Sequence, residues 1–129
     1  MQPIQSYTTE AMAEKNNLIV YCEYDEGRIA DVSLELLTKG RVLADRLGVK
    51  LEAVVLGDKL EGIEKQIFPY GADTVYKIED KRLFPYTSNP HAGALIKLFR
   101  EIEPQICLMG ATCIGRDLGP RVSSCLHSG

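Results

Sequence analysis

The chain has too few metal-binding residues, too widely scattered, to suggest a zinc site. Its four cysteines, Cys22, Cys107, Cys113 and Cys125, form no C-x-x-C pair. The two histidines, His91 and His127, complete no ligand spacing with them. Four reduced thiols in a cytoplasmic protein are the expectation. No apolar run approaches the ~20 residues needed to cross a bilayer, so membrane insertion is not expected. The net charge of -3 leaves no basic footprint for nucleic acid. Catalytic equipment is missing too. There is no G-x-S-x-G, no Cys–His pair that the sequence places together and no carboxylate dyad, so no catalytic residue is assigned. The first residues, MQPIQSYTTEAMAEKNN, lack a basic start, an apolar core and arginine. A secretory signal is therefore not expected, and the lack of arginine argues against a mitochondrial transit peptide. Residues 1–16 read as a polar, mobile extension.

What is present suits one domain, residues 17–129. Hydrophobic residues at 45% and charged residues at 26% are enough for a packed core. Asn17 to Tyr24 (NLIVYCEY) is a compact apolar run and predicts a buried first strand. Asp25 to Gly27 marks a turn. From Asp31 to Leu47 the period changes to three- and four-residue steps through Val32, Leu36, Leu37, Gly40, Leu43, Ala44 and Leu47. That is one helical face, and Gly48 suits the position past the helix end. Leu51 to Leu56 predicts a second strand, with Gly57 at its exit. Lys59 to Phe68 predicts a short second helix closed by Pro69. Thr74 to Ile78 predicts a third strand, followed by a polar loop from Glu79 to Thr87. Ser88 or Asn89 can cap a third helix with Pro90 in its first turn, and Pro104 ends it. Gln105 to Met109 predicts a fourth strand, and Leu118 to Leu126 a last helix. Strand–helix repeated four times predicts an α/β fold: a parallel doubly wound sheet in a three-layer, Rossmann-like domain. No fifth strand follows, so the chain reads as a piece of a longer one.

The segment Gly110 to Val122, GATCIGRDLGPRV, is the candidate site. Ligands and partners gather at the carboxyl ends of strands in such sheets. Gly110, Gly115 and Gly119 do not match G-x-G-x-x-G, and no G-K-S or G-K-T follows. Two readings stay open here. Backbone N–H groups with the Thr112 hydroxyl can form a generic anion site. Alternatively, Gly110 and Gly115 only permit a tight strand exit. Asp117 is placed as the cap of the last helix, which frees Arg116 to reach a partner or phosphate. Arg121, four residues past Asp117, suits a surface ion pair. Glu23 at the end of the first strand can meet a ribose or a partner backbone, or end the strand in solvent. His91 reads as a surface residue.

Four ordered segments resemble the N-terminal domain of the electron transfer flavoprotein alpha subunit. They are LIVYCEY, SLELLTKGRVLADRLG (Ser33 to Gly48), PYGADTVYKIED (Pro69 to Asp80) and GATCIGRDLGPRV. Tyr24 departs from the family, many of whose members carry His there. The resemblance implies an adenine-nucleotide-hydrolase-like α/β domain that packs on a beta subunit. Together they support a further domain holding FAD, which lies outside this chain. It also implies AMP or a second FAD on the beta subunit, and electron shuttling between flavin dehydrogenases and an acceptor. By the same resemblance Gly110, Thr112, Gly115 and Arg116 border the nucleotide crevice, and Glu23, Arg116, Asp117 and Arg121 serve the subunit interface. The alternative is a stand-alone adenine-nucleotide module of the universal-stress-protein type.

Overall fold

The structure, a computed structural model, describes residues 5–7, 15–83, 86 and 88–126, with 5–7, 88, 113 and 123–126 described by their backbone alone. Four parallel strands form the sheet: β2 (Leu18–Cys22), β5 (Leu51–Gly57), β6 (Thr74–Glu79) and β7 (Ile106–Leu108). A fifth strand, β1 (Gln5–Tyr7), pairs antiparallel with β6, giving the order β1-β6-β5-β2-β7. That strand falls inside the stretch expected to be a polar extension. The correction has a backbone cause. The outer edge of β6 carries unpaired N–H and C=O groups, and any extended segment can satisfy them whatever its polarity. Residues 1–4 and 8–14 lie outside the described residues.

Strands β2 and β5 are buried at every position. This is why they read as continuous apolar runs rather than alternating ones. Alternate residues feed two cores. Leu18, Val20, Leu51, Ala53 and Val55 pack with Leu37 and Ala44 of α1 (Asp31–Leu47) on one face. Ile19, Tyr21, Val54, Leu56 and Tyr76 meet α3 (Ser88–Ile102) and α4 (Cys113–Leu126) on the other. Helix α1 matches its predicted bounds, and Gly48 ends it at φ 69° while the Val49 N–H reaches back to the Ala44 carbonyl. Arg41 ties that helix to the start of β6, donating to the Gly71 carbonyl at 2.7 Å and to Asp73 at 2.9 Å.

Several element boundaries differ from expectation. The first strand stops at Cys22. Tyr24 belongs instead to a small hairpin, β3 (Tyr24–Asp25) against β4 (Arg28–Ile29). The second helix shrinks to α2 (Glu64–Ile67) with a 3-10 turn at Phe68–Tyr70, because Gly62 at φ 76° interrupts the run. The polar loop after β6 holds a 3-10 turn at Lys81–Leu83. The last helix begins five residues early, at Cys113. Helix α3 opens at Ser88 with Pro90 in its first turn. Asn89 does not serve as its cap: its side-chain oxygen lies 3.3 Å from an Arg121 nitrogen. Cys22 and Cys107 are free thiols inside strands, as expected. Burial pushes both up, Cys107 to about 12.

Candidate functional site

Strand β2 ends because the backbone of Glu23 leaves the sheet. Its N–H donates to the Ser33 hydroxyl and its C=O accepts from the Ala30 N–H, each at 2.8 Å. These bonds fold the hairpin back onto the start of α1 and leave the Glu23 side chain at the sheet's carboxyl edge. From β2 the chain moves to β5 and then β6 on one side, while β7 lies on the other. The gap between the ends of β2 and β7 is therefore the topological switch point, where open α/β sheets bind ligands.

In this protein its own side chains cross that gap. The Thr112 hydroxyl donates to Glu23 Oε2 at 2.6 Å. The same hydroxyl accepts the Gly115 N–H at 3.1 Å, and the Thr112 carbonyl accepts the Arg116 N–H at 2.9 Å. Thr112 is thus the cap of α4, with one hydroxyl serving both the helix and the carboxylate. Asp117, expected as that cap, sits in the second turn. It accepts from the Tyr86 hydroxyl at 2.5 Å and from Arg121 Nε at 3.3 Å. The expected surface pair between Asp117 and Arg121 is present.

The glycines face inward. A Cβ built on Gly115 would lie 1.9 Å from the Gly110 carbonyl oxygen, and one on Gly110 would lie 3.1 Å from Val32. Both residues are buried. They let β7 and α4 close on each other. Of the proposed site residues, Glu23, Gly110, Thr112 and Gly115 come together. Arg116 stands apart, exposed and without a side-chain hydrogen bond or ion pair among the described residues.

Beside the Glu23–Thr112 bridge lies a cavity of ≈ 480 Å³. Tyr21, Glu23, Tyr24, Asp25, Tyr86 and His91 supply its polar lining, with Leu56, Leu83 and Ile114 among the apolar residues. Sequence reasoning missed this cluster. His91, read as a surface residue, is only 3% exposed, and its ring lies 4.6 Å from that of Tyr86. A helix-start histidine looks exposed until Tyr86 is seen to pack against it. The two-residue alternation of side-chain direction along a strand could have placed Tyr21 with Ile19 on this face. Burial, then the nearby Glu23, raises the Tyr21 hydroxyl above its ordinary range.

These residues do not fit a nucleotide phosphate. Among the described residues neither lysine nor arginine lines the cavity, and a carboxylate holds the hydroxyl at the start of α4. The donors that would cradle an anion are in part already used. Among the described residues no group of three or more His, Cys, Asp or Glu could hold a metal ion. None of their helices is long and apolar enough to cross a membrane.

A family model described as an electron transfer flavoprotein domain matches residues 18–129. The chain is 45% identical over 118 residues to Protein FixB of Clostridium saccharobutylicum, covering 92% of this chain and 35% of that one. It is 37% identical to the electron transfer flavoprotein subunit alpha of Thermoanaerobacterium thermosaccharolyticum, covering 92% and 36%. It is 43% identical to the acryloyl-CoA reductase electron transfer subunit beta of Anaerotignum propionicum, covering 85% and 30%. The chain spans about a third of the length of these curated relatives.

Proposed function

Because the chain belongs to the electron transfer flavoprotein domain family, we propose that it is the supporting domain of an alpha-type subunit. In this reading it packs on a beta subunit and steadies a heterodimer that carries FAD. The heterodimer passes electrons between flavin dehydrogenases and an acceptor. The flavin chemistry belongs to the cofactor, and a domain of this kind contributes position and shielding. It brings no catalytic set of its own, and AMP or a second FAD is assigned to the beta subunit.

One observation carries this reading: the switch point is bridged from within by Glu23 and Thr112. A stand-alone nucleotide module needs that gap open and its helix-start donors free. Closure of the gap counts against the universal-stress-protein alternative. It also moves the candidate contact surface outward, to the exposed side of α4 and Arg116.

The test is assembly. The chain is joined to the region its relatives carry beyond it and co-expressed with a beta subunit. A 1:1 complex that retains FAD is expected, and separate elution of the two subunits overturns the reading. Arg116→Ala is expected to leave the melting temperature of the 129-residue chain within about 1 °C, since it removes no internal contact. In the complex the same change is expected to weaken assembly by about tenfold, as for an arginine anchored at an interface. A large loss of stability in the isolated chain would make Arg116 structural instead.

A further inference from the structure

The cavity beside the bridge contains two polar groups whose needs its own walls leave unmet. Tyr21 is only 3% exposed, yet its hydroxyl makes no hydrogen bond among the described residues. Tyr21 lines the cavity, and an occupant there can supply that hydroxyl with a partner. Glu23 is 9% exposed, and its carboxylate takes a single hydrogen bond, from the neutral hydroxyl of Thr112. It forms no ion pair among the described residues. A buried carboxylate calls for an opposite charge.

The rest of the lining fits the same occupant. The Tyr24 hydroxyl is committed to the Lys59 carbonyl at 2.8 Å and the Tyr86 hydroxyl to Asp117. Those two hydroxyls are therefore already engaged, and the aromatic side chains that carry them line the cavity. Asp25, exposed at the hairpin tip, adds a second negative charge. Among the described lining residues there is neither lysine nor arginine, which disfavours an anion. At ≈ 480 Å³ the space is in the range of small-molecule sites.

We propose that this cavity binds an organic cation: a guanidinium or primary ammonium group that donates to the Glu23 carboxylate and the Tyr21 hydroxyl oxygen. Its apolar body lies against the tyrosine rings, whose negative faces attract the charge. Two sources share this chemistry, a free amine and an arginine side chain of a partner subunit.

Phenylguanidinium titrated into the 129-residue chain, followed by calorimetry, is the test. Saturable 1:1 binding is expected, with none for benzoate or AMP. Glu23→Gln keeps an acceptor for Thr112 but removes the charge, and is expected to weaken binding by about tenfold or more. Tyr21→Phe keeps the ring and is expected to cost about threefold. A merely structural hydroxyl would leave the affinity unchanged, and circular dichroism verifies that both variants are folded. If phenylguanidinium competes with the beta subunit, the natural cation is a partner's arginine. If both bind together, it is a free ligand. Absence of saturable binding, or binding indifferent to both substitutions, overturns the proposal. The titration uses this chain alone, so its failure would leave the assembly reading standing.

Discussion

Gly115→Ala is expected to lower the unfolding free energy by about 3 kcal/mol, at the upper end of the cost of overpacking. For a chain of this size that is a fall of roughly 10 °C in melting temperature. The reason is a backbone contact. The new Cβ would sit 1.9 Å from the Gly110 carbonyl oxygen, a partner that cannot rotate away as a flexible side chain could. Relief requires α4 to shift off the end of β7, opening the gap between Thr112 and Glu23. Gly93→Ala is the control. It lies on the exposed side of α3, and nothing comes within 4 Å of its added Cβ. There alanine should hold or raise stability, since glycine in a helix costs about 0.5–1 kcal/mol. Urea unfolding of both variants separates a specific clash from a general dislike of substitution. Equal midpoints for the two would remove the close-approach explanation.

Thr112→Val is the second large effect, with an expected loss of about 2–3 kcal/mol. Losing the α4 cap accounts for about 1 kcal/mol of it. The remainder comes from leaving the Glu23 carboxylate buried without its donor, a penalty of about 1–3 kcal/mol. Thr112→Ser retains the hydroxyl and should recover most of the loss. A double-mutant cycle with Glu23→Gln isolates the bridge, and a coupling of about 1 kcal/mol or more is expected for two groups in direct contact. If Thr112→Val costs the same in both backgrounds, the hydroxyl acts only as a cap.

Much of the fold was readable because its causes are local. Helix α1 announces itself by its apolar steps from Val32 to Leu47, with Gly48 to stop it. Strand β5 is a β-branched and aliphatic run between polar turns. The comparison with flavoprotein relatives agrees with the resemblance carried by the motif around Arg116. The start of α4 was not readable, and the reason is physical. Gly115 is a poor helix former, so the stretch ahead of the predicted start at Leu118 looks like a loop. Pro120 lies inside the helix all the same. The tertiary gain that overrides propensity, closure of Gly115 on the Gly110 carbonyl, leaves no trace in local pattern.

The bridge itself joins residues 89 positions apart. Sequence reasoning named Glu23 and Thr112 separately, as groups for a ligand or partner, and had no means of pairing them. The cavity was hidden for the same reason. His91 and Tyr86 are each unremarkable where they stand in the chain, and only the packing of α3 against the sheet brings them to Tyr21 and Glu23. Strand β1 required knowing that the edge of β6 was open, which is a property of the sheet and not of Gln5–Tyr7.

Titration of AMP into the 129-residue chain by calorimetry tests most directly whether this domain supports a nucleotide-bearing complex without holding a nucleotide itself. With Glu23 and Thr112 bonded across the switch point and neither lysine nor arginine among the described residues that line the cavity, no saturable heat is expected up to millimolar AMP. A 1:1 isotherm with a micromolar Kd would contradict the closed switch point and restore the stand-alone nucleotide module.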